Sequence, residues 1–148
     1  MRIEQEDDAG CGIACVAMIT GKTYRQAKRF FQERVFLPTE RKPHTRHYQL
    51  RRALRNLGIA TEKRLFRKWR SIENLSIVPI SRRADTGWHW VVFVPNGVRP
   101  YILDPEPAKV RRRYDFRGMK ARGLYIAILM STRFNTKVGL KVREYDRH

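Results

Sequence analysis

The sequence predicts an α+β domain, with helices first and an antiparallel sheet after them. Apolar residues recur at helical spacing up to Leu57, whereas from Leu75 onward they come in short β-branched and aromatic runs. Glycines and an Asn-Gly pair stand at the joints between these segments. With 148 residues and 17.6 kDa, the chain is expected to form one domain spanning 1–148, since no linker, internal repeat or low-complexity tract divides it.

The first helix is expected over Gly12–Ile19, a short apolar run rich in Ala and Met that Gly21 terminates. Thr23 can cap a second helix, Tyr24–Arg34, whose Tyr24, Ala27, Phe31 and Val35 fall on one face. A third, His47–Leu57, carries the stripe Leu50, Leu54, Leu57 and ends at Gly58. Nothing before Leu75 reads as sheet. Leu75–Ile80 is a strand in which Pro79 argues for an edge or an end. Trp88–Pro95 and Pro100–Asp104 are strands joined by the hairpin signal Asn96-Gly97. Leu124–Met130 is a further strand, and Thr136–Tyr145 a last one.

Several classes of protein are excluded at this level. The longest apolar stretch, Leu124–Met130, falls far short of the roughly 20 residues a spanning helix needs. The start, Met1 to Asp8, turns acidic where the apolar core of a signal peptide would follow, so a cytoplasmic protein is expected. Two cysteines four residues apart make no disulfide framework. A zinc reading would join Cys11 and Cys15 to His44 and His47, but a Cys pair at i, i+4 on an apolar helix lacks the loop spacing of structural zinc. No metal or other cofactor is expected.

The residues that carry chemistry begin with Cys11. It follows Gly10 and opens the first helix, where exposed N–H groups and the helix dipole favour a thiolate. Cys15 lies one turn further in, among Ala14, Val16, Ala17 and Met18, as a buried core thiol would. A cysteine nucleophile needs a base, and the base needs an orienter. Pairing about the Asn96-Gly97 turn sets His89 opposite Asp104, within reach of its carboxylate. A one-residue slip would put the two on opposite faces. Gln5 offers a side-chain amide to work beside the Cys11 N–H as an oxyanion donor.

Gln5 followed by Cys11-Gly12-Ile13-Ala14-Cys15-Val16-Ala17-Met18-Ile19 resembles the nucleophile helix of the papain-like peptidases that cut double-glycine leaders from bacteriocin precursors. The resemblance continues through Thr45–Gly58, Ile77–Ile80, His89–Val92 and Tyr101–Pro105, in that family's order, and covers about residues 3–108. It implies a papain-like fold and a cysteine peptidase with Cys11 as nucleophile, His89 as general base and acid, Asp104 as orienter and Gln5 in the oxyanion hole. Peptide or protein substrates follow. Where that family has Asp immediately before the nucleophile, this chain has Gly10.

Charge is the other strong signal. There are 32 Lys and Arg against 14 Asp and Glu, a formal +18. Between Arg41 and Arg70 stand eleven basic residues and one acid, Glu62, and Lys109–Arg122 adds seven against Asp115. An excess so one-signed exceeds what solubility needs and points to a polyanion: nucleic acid, an anionic membrane surface or an acidic protein. The candidate binding residues are Arg51, Arg52, Arg55, Arg64, Arg67, Lys68, Arg111, Arg112 and Arg113. Trp69, Phe66, Tyr48 and Tyr114 could stack on bases or could be core. No helix-turn-helix, zinc-finger or RNA-recognition signature accompanies them. The alternative to an active peptidase is a retired scaffold that binds such a polyanion.

Overall fold

A computed structural model describes residues 2–7, 9–38, 45–81, 88–107, 112–121 and 123–129. Three helices come first: α1 (Cys11–Thr20), α2 (Tyr24–Arg34) and α3 (His47–Asn56). Every residue of α1 is buried, so it forms the centre of the helical layer and needs no polar face. Gly21 stops it in the left-handed region at φ 74°. Thr23 caps α2 as expected, in a full capping box: its hydroxyl accepts from Gln26 N–H at 3.1 Å and its own N–H donates to Gln26 Oε1 at 2.9 Å. Leu50 and Leu54 bury the inner stripe of α3.

The sheet has five antiparallel strands: β1 (Thr61–Leu65), β2 (Ser76–Ser81), β3 (Trp88–Val94), β4 (Tyr101–Leu103) and β5 (Leu124–Ile128), in the order β1-β5-β2-β3-β4. Trp90, Val92 and Val94 of β3 pack into one core with α1, Leu50 and Leu54. On the opposite face, Val78, Val91, Phe93 and Ile102 form a second core, covered by Phe66, Trp69, Phe116 and Met119. Phe66 and Trp69 are therefore core aromatics, and Tyr114 lies against Tyr101 with the Arg99 guanidinium 3.9 Å over its ring. Tyr48 alone of the four candidates for stacking is exposed, at 60%.

Three expectations change. β1 was not legible: Glu62, Lys63 and Arg64 make it polar, and it sits at the sheet's outer edge, where charge discourages strand addition. β2 lies inside the strand order, yet β5 pairs only with Ser76 and Ile77, so Pro79 sits where β5 no longer pairs. The hairpin register is shifted by two residues. Val92 pairs with Leu103 and Val94 with Tyr101, because the turn closes from Arg99 N–H to the Asn96 carbonyl at 3.0 Å, with Gly97 (φ 55°) and Val98 at its centre. Pro95 and Pro100 then fall opposite one another, and with no N–H on either the ladder stops there. The strand expected over Thr136–Tyr145 lies outside the described residues. Among the described residues, no helix is long and apolar enough to cross a membrane.

Candidate active site

The site is built where β4 stops. Its ladder ends at Leu103 opposite Val92, and the Trp90 amide, two residues further along β3, donates instead to Cys11 Sγ at 3.4 Å. Gly12 lets α1 come this close. A Cβ there would stand 1.8 Å from Thr45 Oγ1 and 3.0 Å from Leu50 Cδ2. The Thr45 carbonyl in turn accepts from the Trp90 indole at 3.1 Å. Cys11, Gly12, Thr45 and Trp90 thus close a ring of contacts that fixes the first turn of α1 against β3.

His89 precedes Trp90 and is 1% exposed. The observed register, extended by one residue, sets Asp104 opposite Val91, and Val91 shares a strand face with His89. A shift of two residues keeps this parity, so the expected reach survives the wrong register. His89 Nε2 lies 2.6 Å from Asp104 Oδ1, the length of a charge-assisted hydrogen bond. With Nε2 so engaged, Nδ1 is left for the hydrogen bond between His89 and Cys11. Burial pulls the His89 pKa down, but its hydrogen bonds to Asp104 and Cys11 and the electrostatic interaction with both groups outweigh it and raise the value to about 9. The imidazole therefore favours its protonated form beside the sulfur.

Asp104 is also held by its own turn. Its Oδ1 also accepts from Glu106 N–H at 2.9 Å, the Asx-turn that Asp104-Pro105 favours. Turn chemistry and orientation of the imidazole are one arrangement here. Arg2, invisible to sequence reasoning, donates to the Asp104 and Glu106 carbonyls at 3.4 and 3.5 Å. Gln5 N–H donates to the Pro105 carbonyl at 2.8 Å, which lays the first residues of the chain along the end of β4. The buried Gln5 amide donates to the Asp7 carbonyl at 2.9 Å, and Gly10 N–H donates to the same oxygen at 3.0 Å. This ties Gln5 into the turn that enters α1.

That turn also accounts for Gly10. Asp7 Oδ2 accepts from the Tyr24 hydroxyl at 2.6 Å and pairs with Lys28 Nζ at 3.0 Å, which together hold its carboxyl below the usual range. Tyr24 reaches Asp7 across residue 10, where a Cβ would meet its hydroxyl at 2.0 Å. An Asp at position 10 would displace the same tyrosine that secures Asp7. Cys15 is fully buried, and burial pushes its thiol well above the ordinary value.

The other candidates are scattered. Among the described residues the donors spaced for a cation are His89, Asp104 and Glu106, and the first two hold each other at hydrogen-bond distance. His47 lies edge-on to Trp90, ring centroids 4.9 Å apart, with Nε2 2.7 Å from the Leu124 carbonyl; His44 lies outside the described residues. The basic residues do not form one surface. Arg51, Arg52 and Arg55 sit on α3, and Arg64 on the edge strand β1, bound to Glu62 and Asn74. Arg67 and Lys68 are exposed just after β1. Arg113 bridges to Ile102 of β4 at the sheet's other edge, about 19 Å away over four strand spacings, with Arg112 over the Tyr101 ring. Arg111 lies outside the described residues.

Solved structures share this fold. One is a double-glycine-motif protease from an AMS/PCAT transporter, in complex with the leader peptide (TM-score 0.61, 18% identity, 86% of this chain and 89% of that one). Another is the peptidase domain of Streptococcus ComA, a bi-functional ABC transporter involved in a quorum-sensing pathway (TM-score 0.63, 22% identity, 86% and 96%). No protein-family model matches the sequence, and no curated protein does. The chain has a papain-like cysteine-peptidase fold that resembles the double-glycine peptidase domain, with Cys11, His89 and Asp104 clustered as a cysteine triad requires.

Proposed function

We propose that this chain is a cysteine peptidase, a single papain-like domain that cuts a peptide bond after small residues such as Gly. The observation that carries the proposal is His89, bonded to Asp104 at 2.6 Å and to Cys11 at the N-terminus of a buried helix. Cys11 Sγ adds to the peptide carbonyl carbon, and the Cys11 N–H and the Gln5 amide receive the developing oxyanion. The proton from Cys11 passes through His89 to the leaving amine as the C–N bond breaks. Water then attacks the thioester and gives its proton to His89, and the carboxylic acid and thiol are restored. Asp104 keeps the imidazole aligned and charged.

The choice of small residues before the scissile bond follows the likeness to a double-glycine-motif protease, and a fluorogenic peptide ending in Gly-Gly is the first substrate to try. Turnover abolished in both Cys11→Ala and His89→Ala supports the proposal; turnover that survives either substitution sinks it. The formal charge of +18 favours a second role for the same molecule, in which one of its separate basic patches docks a nucleic acid or an acidic protein. The assembled triad favours that role alongside catalysis over a retired scaffold that only binds.

A further inference from the structure

The basic excess between Arg41 and Arg70 does not spread evenly over the fold. Arg51, Arg52 and Arg55 line a concave pocket of about 480 Å³ together with Tyr48 and the turn from Gly58 to Thr61. That volume accommodates one small ligand or one unit of a polymer. Tyr48, Arg52 and Arg55 are spaced four and three residues apart, so they share one exposed face of α3.

Two features decide what this pocket would hold. First, its charge is uncompensated among the described residues. Arg51 is half-buried, and its bonds go to neutral acceptors, Thr61 Oγ1 at 3.1 Å and the Thr61 carbonyl at 3.3 Å. Among the described residues no carboxylate pairs with Arg51, Arg52 or Arg55, and the neighbouring acid, Glu62, is bound by Arg64 at 3.3 Å. Second, among the described residues Tyr48 is the one exposed aromatic ring beside these cations, at 60% accessible. An acidic protein would need the charge alone, whereas a flat exposed ring beside guanidinium groups is the pairing that holds unpaired bases and their phosphates. None of the lining residues belongs to the triad or its hydrogen-bond partners.

We propose that the pocket between α3 and the start of β1 binds single-stranded nucleic acid, with a base on the Tyr48 ring and flanking phosphates on Arg52 and Arg55. This rests on the basic-surface part of the reading above and is independent of turnover at Cys11.

The test is fluorescence anisotropy of a labelled oligothymidylate of about 20 nucleotides with the full chain, at salt from about 50 to 200 mM. Tyr48→Ala is expected to weaken binding about five- to hundredfold. Arg52→Glu with Arg55→Glu is expected to weaken it further, and Arg52→Gln with Arg55→Gln to lower the log–log salt slope by about 1.4, at about 0.7 per lost phosphate contact. Reversal of Arg29 and Arg34 on the exposed side of α2 is the matched control and should cost far less. Equal losses from the α2 and α3 reversals would mean diffuse charge and overturn the site. Polyglutamate bound as tightly as the oligonucleotide, with Tyr48→Ala silent on both, would assign the surface to an acidic protein and leave only the basic-surface reading. Duplex bound more tightly than single strand would also refute it. Binding to neither polymer would remove both.

Discussion

Replacing Asp104 by Asn removes the negative charge that faces His89 while keeping the side chain's shape and an oxygen that can accept from Nε2–H. In the wild-type protein the His89 pKa stands at about 9 against an ordinary 6.5. At about 1.4 kcal/mol per unit, this gap corresponds to a stabilisation of order 3 kcal/mol. The sign follows from linkage: a raised folded-state pKa stabilises fully below the unfolded value of 6.5 and loses its effect as pH rises through 9. Without Asp104 the burial that now opposes protonation meets only Cys11, so the Asp104→Asn midpoint is expected to fall below 6.5. Cys11→Ala should lower it less, because Asp104 is the stronger of the two supports. The assay is a two-dimensional NMR titration of the imidazole Cε1–H, assigned by loss of the signal in His89→Gln. Chemical denaturation at about pH 6 and about pH 10 gives an independent reading, with the gap between wild type and Asp104→Asn wide at the lower pH and narrow at the higher. A wild-type midpoint near 6.5, or an Asp104→Asn midpoint that stays above about 8, would refute the electrostatic account of this pair.

Three further outcomes follow from the packing around the nucleophile. Gly12→Ala is expected to destabilise the protein by about 1–3 kcal/mol in urea denaturation, since its Cβ would meet Thr45 Oγ1, and to reduce Cys11 alkylation at the same time. Asp7→Asn should lower the melting temperature at neutral pH, and the difference should close as pH falls below the ordinary carboxylate value of 3.8, because the Asp7 carboxyl is held lower than that by Tyr24 and Lys28. In native protein iodoacetamide should spare Cys15, which is fully buried, and label it only after urea; native labelling of Cys15 by mass spectrometry would contradict its place in the core.

Much of this was legible because it depends on short-range chemistry. Thr23 writes a helix start, Gly21 and Gly58 write helix ends at φ 74° and 84°, and the bounds of α2 come out as read. The His89–Asp104 pair was legible for a subtler reason: strand parity survives an even shift, so the two met although Gly97-Val98, and not Asn96-Gly97, centres the turn. What escaped was tertiary in origin. β1 exists because β5 pairs with it along five residues, not because Thr61–Leu65 favours a strand. The back face of the sheet is sealed by Phe66, Trp69 and Phe116, which follow no helical or strand period. Arg2, Trp90, Thr45 and Tyr24 support the site through contacts between residues far apart in sequence, which no local pattern encodes.

The early end of β4 gives the proposed reaction a spectator. The Trp90 amide hydrogen is bonded to the sulfur of Cys11 and not to a neighbouring strand, so its exchange with solvent is governed by the state of that sulfur. A free sulfur at Cys11 accepts this hydrogen, and acylation or alkylation, which weakens the sulfur as an acceptor, is expected to speed its exchange. Deuterium uptake at one backbone position would then count, residue by residue and without any knowledge of the substrate, the fraction of molecules caught with a covalent intermediate on Cys11.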